Sequence, residues 1–222
     1  PDADDVRTGA LDLGAHGVQH ICDIDDMGLF LDDGAVVEIY QTVLGAGHTY
    51  TGLAGDLRGE GARAEIAAHY LGHGENELDF NYTLRHHGRK TECAIDTTGV
   101  LAGTSSKTLR ATIDLIRGCK GAVGSETETV LIADEGATNK TVPTILCNED
   151  DVMGNHGATI GHIRAEQLFY LASRGLSQEQ AENMFISAAL EDAYIQAPDD
   201  DVRASVTRLG STLVDRFEEV CA

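Results

Sequence analysis

Twenty of the chain's 25 glycines fall at or before Gly136 and only five follow, and this asymmetry divides the sequence into two kinds of polymer. In the first part, glycine-bearing turns separate short runs of β-branched and alternating residues: 35–44, 62–71, 77–84, 90–98, 107–116, 126–133 and 140–147. Polar residues such as Thr91, Thr108 and Thr112 alternate with apolar ones, the period-2 signature of strands with one buried face. Regular short strands without helical periods between them admit a sandwich, an antiparallel barrel or a stacked β-solenoid. Small aliphatic side chains, glycine corners and the absence of Trp favour the solenoid, whose rungs stack branched side chains in layers. With only six Tyr and five Phe, an aliphatic core without large aromatic clusters is expected.

From Gly161 onward the period becomes helical. Residues 164–174 place Leu168, Leu171 and Ala172 on one face, and Gly175 is positioned to end the helix in a left-handed conformation. Ser177 and Gln180 form a capping-box pair at the start of a second helix, whose Ala181, Met184, Phe185, Ala188 and Ala189 recur at helical spacing as far as Pro198. Asp199 to Asp201 supply acidic N-terminal charge to a third helix with an apolar stripe of Val202, Val206, Leu209, Leu213 and Val220. The expected organisation is a β core over 1–160 and a helical domain over 161–222, the latter covering the edge of a last rung.

Composition narrows the function. Sixteen basic against 37 acidic residues give a net charge of −21, which opposes nucleic-acid binding. No apolar run is long enough to span a membrane, and the acidic stretch from Pro1 to Arg7 has no signal-peptide pattern, so a cytoplasmic protein is expected. Five scattered cysteines, never in a CxxC pair, fit reduced thiols. The chain lacks GxxxxGK[ST], a GxGxxG at a strand-to-helix junction, GxSxG and HExxH, which argues against its being an ATPase, a serine hydrolase or a zinc protease.

The densest set of possible ligands is Cys147 to Thr159, with a thiol, three carboxylates and the His156 imidazole. Thiolate and imidazole together suit iron or zinc better than magnesium or calcium. The alternative is an acidic turn with a helix-leading histidine. His69, His73, His86 and His87 read as exposed strand-edge residues, and Cys93 and Cys119 as small buried hydrophobes. Asp23, Asp25, Asp26, Asp32 and Asp33 lack the order of a calcium loop and read as a solvated surface.

The run from 145 to 185, ILCNEDDVMGNHGATIGHIRAEQLFYLASRGLSQEQAENMF, resembles the C-terminal signature of the SufB/SufD family of iron–sulfur cluster assembly proteins, above all in DDV, HGAT and QLFYL.SRG.S. GVLAGTSSKTLRATIDLIRG at 99–118 resembles the family's β-rung region, and the likeness covers roughly 80 to 195. The resemblance implies a right-handed parallel β-helix followed by a helical domain. It also implies a scaffold rather than an enzyme, paired through its β-helix with a SufB-like paralogue or an identical copy. A SufC-type ABC ATPase would dock on the helices and move them, exposing the pair interface to iron, sulfide or a transient iron–sulfur cluster. His156 occupies the position of the HGAT histidine, a proposed ligand in SufD-like members. Many of those members carry a cysteine two residues earlier, where this chain has Gly154, and no cysteine precedes Thr141-Val142-Pro143 as in SufB-like members. Cys147 is then the nearest thiol, and a SufD-like role the closer fit. Gln167, Phe169, Tyr170, Arg174 and Met184 are the residues expected to meet the ATPase. Two other readings stand beside this one: a metal-dependent carbohydrate-acting enzyme on a β-solenoid, and a structural assembly subunit without metal.

Overall fold

The computed structural model describes residues 22–44 and 47–213. Among these, ten strands run in chain order as β1 (Cys22–Leu31), β2 (Val36–Leu44), β3 (His48–Leu57), β4 (Arg63–Gly72), β5 (Glu77–His86), β6 (Glu92–Leu101), β7 (Ser106–Leu115), β8 (Val123–Ile132), β9 (Thr138–Cys147) and β10 (Met153–His162). Odd strands form one sheet, β1-β3-β5-β7-β9, and even strands the other, β10-β8-β6-β4-β2. Every pairing is parallel. Each odd–even pair is therefore one rung, and the expected stacked solenoid is the fold. The strict alternation of buried and exposed positions in β5 and β7 puts one side chain in two into the space between the sheets.

Register makes the rungs repeat. His48 lies opposite Glu77 and Glu77 opposite Ser106, so like positions stack into columns. The corners stack too. Gly34, Gly61, Lys90 and Gly121 hold equivalent turn positions with φ of 66°, 72°, 53° and 79°, and each backbone N–H reaches the carbonyl of the next turn: Gly34 to Glu60, Gly61 to Arg89, Lys90 to Lys120 and Gly121 to Asp151. Left-handed backbone at this corner explains why glycine punctuates the first part of the sequence.

Three strands differ from the sequence reading. β1, β3 and β10 were not expected, because acidic residues in β1 and glycines in β3 and β10 mask their alternation; in a parallel stack the register with a neighbouring rung holds them as strands. The aliphatic core also needs correction. Tyr70 and Phe80 lie 5.4 Å apart, centroid to centroid, and Phe80 and Tyr82 6.1 Å apart, all three buried between the sheets. The tyrosines are accommodated because their hydroxyls find partners inside, Tyr82 donating to Gln41 and Tyr70 to Glu128.

Three helices follow: α1 (Ala165–Ser173), α2 (Gln178–Gln196) and α3 (Asp200–Leu213). The Ser177 capping box forms, with Gln180 N–H donating to Ser177 Oγ at 3.1 Å and Ser177 N–H to Gln180 Oε1 at 2.8 Å. Gly175 has φ 91° after α1, as its position implied. Val202 N–H donates to Asp199 Oδ1 at the start of α3. Val220 of the expected stripe lies outside the described residues. Ile186, Leu190, Ala193 and Val206 pack on Leu44, Leu71, Val100 and Ala102, so α2 and α3 lie on the outer face of the even sheet and not, as expected, over the edge of the last rung, because the apolar outward positions they bury are on β2, β4 and β6. Tyr40 donates its hydroxyl to the Ala193 carbonyl across this seam, and burial pushes that phenol up to about 12. No described helix is long and apolar enough to cross a membrane.

Candidate functional site

The interior of the solenoid changes character toward β9 and β10. One column runs Ile39, Ile66, Ile95, Glu126 and His156 through successive even strands. A column of the odd sheet runs Thr49, Leu78, Lys107 and Asn139. In these two columns the earlier rungs are mostly aliphatic, whereas the last two rungs bring a lysine, two glutamates, an asparagine and a histidine to inward positions. β9 and β10 are the edge strands of their sheets, so the inward residues of this final rung have no rung above them. Ile160, an inward position in register with buried Val130, is accordingly 51% exposed.

Below that rung sits a buried ion pair. Lys107 and Glu128 have no exposed side-chain surface and bond directly. Thr141 donates its hydroxyl to Glu128, Lys107 Nζ lies 3.4 Å from Thr141 Oγ1, and the Lys107 ammonium stands 5.5 Å from the centre of the Tyr70 ring. Burial holds the lysine below its ordinary value, partly offset by Glu128. Glu126, 4% exposed, shares the inward face of β8 with Glu128 but has no cation of its own: its Oε1 is shielded and accepts no hydrogen bond. Burial, then the charge of Glu128, raises its carboxyl above the usual range. Glu126 and Glu128 fall in the strand expected over 126–133, and the alternation puts both on the buried face of β8. Their spacing from Val130 was the available signal.

The two candidate ligands both belong to the terminal rung, on different sheets. Cys147 ends β9 in register with buried Leu115; it is exposed, with its thiol 3.3 Å from the Glu149 carbonyl oxygen. His156 lies within β10 in register with Glu126, which replaces the alternative of a turn leading into a helix. Strand β10 continues to His162, through the 160/161 division of the expected domains. Among the described residues no group of three or more His, Cys, Asp or Glu side chains converges as a metal centre. A Cβ on Gly154, where a thiol was missing, would meet the Ile145 side chain at 3.0 Å. Asp25, Asp26, Asp32 and Asp33 are exposed, while the side chain of Asp23 lies outside the described set.

The histidines read as strand-edge residues divide. His73 and His87 are exposed, but His69 and His86 are buried, a correction that follows from strand direction and covering elements rather than local sequence. His69 lies beneath α2 against Tyr40, ring centres 5.0 Å apart, with both ring nitrogens unpartnered. His86 is inside the solenoid, where its Nδ1 lies 2.7 Å from Thr91 Oγ1 and its Nε2 3.1 Å from Cys93 Sγ. Thr91 donates its own proton to the Gly88 carbonyl, so His86 Nδ1–H donates to Thr91 and Nε2 accepts from the Cys93 thiol. Burial pushes the thiol up to about 12 and the imidazole down to about 4, so both are neutral and neither is poised for chemistry. The unfolded chain takes up this proton near pH 6.5 while the folded chain resists it. His86 therefore contributes stability above that pH that is lost as the pH falls toward 4, on the order of 3 kcal/mol in all. Urea midpoints measured from pH 7.5 to 4.5 should fall across this window, and should fall less in His86→Leu; equal pH dependence in the two would refute the assignment.

On the helical side, Arg164, Glu166, Gln167, Tyr170, Leu171, Met184 and Phe185 line an open groove of about 510 Å³ between α1 and α2. It gathers three of the five residues expected at an ATPase contact, Gln167, Tyr170 and Met184. Arg174 stands 5.2 Å from the Tyr170 ring centre, and Phe169, 76% exposed, lies outside the groove. Gln167 Oε1 accepts Arg164 N–H at 2.9 Å and so caps α1.

Residues 16–189 match the family model described as SUF system FeS cluster assembly, SufBD core domain. The chain belongs to the SufBD family. Among curated relatives of this SufBD chain, the iron-sulfur cluster assembly protein SufD of Bacillus subtilis is 27% identical over 198 residues, 89% of this chain and 45% of the relative. A SufBD family protein of Synechocystis is 29% identical over 143 residues, 64% of this chain and 30% of its own length. SufB of Bacillus subtilis is 28% identical over 168 residues, 75% of this chain and 36% of that protein. The SufBD chain thus spans less than half the length of these relatives, and its match takes in the solenoid, α1 and the first part of α2.

Proposed function

We propose that this chain is a scaffold subunit of SUF-type iron–sulfur cluster assembly in the cytoplasm, without enzymatic turnover of its own. It pairs through its terminal rung with a SufB-like paralogue or an identical copy, and a SufC-type ATPase docks on α1 and α2. The observation that carries this reading is the uncovered last rung: inward-facing positions that are buried in the middle rungs, β3 to β8, are half-buried or exposed in β9 and almost all exposed in β10. A face built to be stacked upon lies next in the chain to a groove lined by exposed Tyr170 and Met184. His156 and Cys147 stand on that rung, so pairing would bring nitrogen and sulfur donors to the seam, where iron or sulfide is received as cargo. Movement of the helices by the ATPase would open the seam.

Co-purification with the SufC-type ATPase checks the docking half. Tyr170→Ala and Arg174→Ala should each weaken capture by about tenfold, about 1.4 kcal/mol, and undiminished capture by both would count against the groove. Anaerobic reconstitution with iron and sulfide checks the donors. Visible absorbance should develop in the wild type and drop in His156→Ala and Cys147→Ser, whereas no absorbance in any of the three would favour a purely structural subunit.

A further inference from the structure

We infer that Glu126 and His156 together form a divalent-cation site at the open end of the solenoid, a pairing in which Glu126 supplies the carboxylate. The inference rests on the reading above and deepens it, since it names a carboxylate ligand that this chain contributes beside His156. Glu126 and His156 are register partners on β8 and β10, with strands about 4.8 Å apart in a sheet. By alternation both belong to the inward face, and His156 lies between Glu126 and the open end of the column. Glu126 is only 4% exposed, and its Oε1 has no donor. The nearest interior cation is already committed, because Lys107 bonds Glu128 and approaches Thr141. A carboxylate enclosed in this way is costly unless a cation or proton joins it. The exposed imidazole of His156 is the neighbouring donor on the solvent side. On the same terminal rung Asn139 Oδ1 is likewise shielded and without a donor, so the rung has a surplus of acceptors.

Imidazole nitrogen with carboxylate oxygen suits first-row divalent ions of the Fe2+, Co2+ and Zn2+ class. Donors from adjacent rungs can approach one ion at about 2.0 to 2.2 Å each. Two protein donors leave the remaining positions to water or to a paired subunit, and Cys147, on the opposite sheet, is not required.

Anaerobic calorimetric titration of the 222-residue chain with Co2+, without sulfide, tests the pairing. Glu126→Gln and His156→Ala should each weaken Co2+ binding at least tenfold, and Cys147→Ser should leave it within twofold of the wild type. Glu126→Gln is nearly isosteric and removes an unpaired buried charge, so its circular dichroism and urea midpoint should match or exceed those of the wild type. Wild-type affinity in Glu126→Gln would overturn the pairing, and if His156→Ala alone lost the ion the proposed function would stand without it. Wild-type affinity in both variants, or no Co2+ binding by the wild type, would overturn the pairing; in the first of these cases His156 also loses its role as a ligand. Loss of binding in Cys147→Ser equal to that in the other two would move the site across the rung and overturn it as well.

Discussion

Replacing Lys107 with methionine is expected to destabilise the folded chain by about 3–5 kcal/mol, because it leaves the Glu128 carboxylate inside the solenoid without its counter-ion. Neither side chain has exposed surface, so water cannot replace the lost partner. Tyr70 and Thr141 would still donate to Glu128, and Glu126 two residues away would add to the repulsion. The double replacement Lys107→Met with Glu128→Leu should recover most of the loss, since a buried pair exchanged for apolar side chains of similar volume is often neutral. Chemical denaturation of the two single variants and the double variant gives the coupling directly. Additive losses would show that the pair is not held as the geometry indicates. The pair also explains how the solenoid tolerates polarity near its open end: the Lys107 and Glu128 charges are matched within one rung, while Glu126 beside them has no ion-pair partner among the described residues.

Gly88→Ala should be comparably damaging for a different reason. The turns between rungs stack backbone on backbone, and a Cβ at Gly88 would stand 2.0 Å from the Gly59 carbonyl oxygen and 2.5 Å from its carbon. Gly59 is constrained in the same way by the turn before it, its own Cβ position lying 2.0 Å from Asp33 N. Overpacking against side chains usually costs about 1–3 kcal/mol because a rotamer can move. Here the obstacle is main chain held by hydrogen bonds from His87 and Gly88 to Leu57, and about 3–5 kcal/mol is expected. Gly28→Ala supplies the control, since nothing lies within 4 Å of its Cβ position and the change should stay within about 0.5 kcal/mol. A urea midpoint for Gly88→Ala equal to that of Gly28→Ala would refute the stacked-turn account.

Both predictions depend on columns, and columns are what the sequence shows least. Period 2 was legible in residues such as Leu109, Ala111 and Ile113, which are all buried. The same period, carried one step earlier, assigns Lys107 to that interior face, yet a charged residue in a strand ordinarily signals solvent. Glu126 and Glu128 were obscured likewise. His156 was legible as a candidate because of the residues around it, but its strand was not, since glycines at 154, 157 and 161 imitate a turn. His69 was unreadable locally: what buries it is α2, more than a hundred residues later in the chain.

Local chemistry by itself determined the two-part organisation, the helix caps at Ser177 and Asp199, and the excess of negative charge, because each depends on neighbours within a few residues. Resemblance of a longer stretch supplied the family. Which side chains share an interior column, which carboxylate finds a cation and which rung is left uncovered were decided only by tertiary structure. Parallel stacking joins residues about thirty positions apart, as His48 to Glu77 or Glu126 to His156, and no local preference encodes that register.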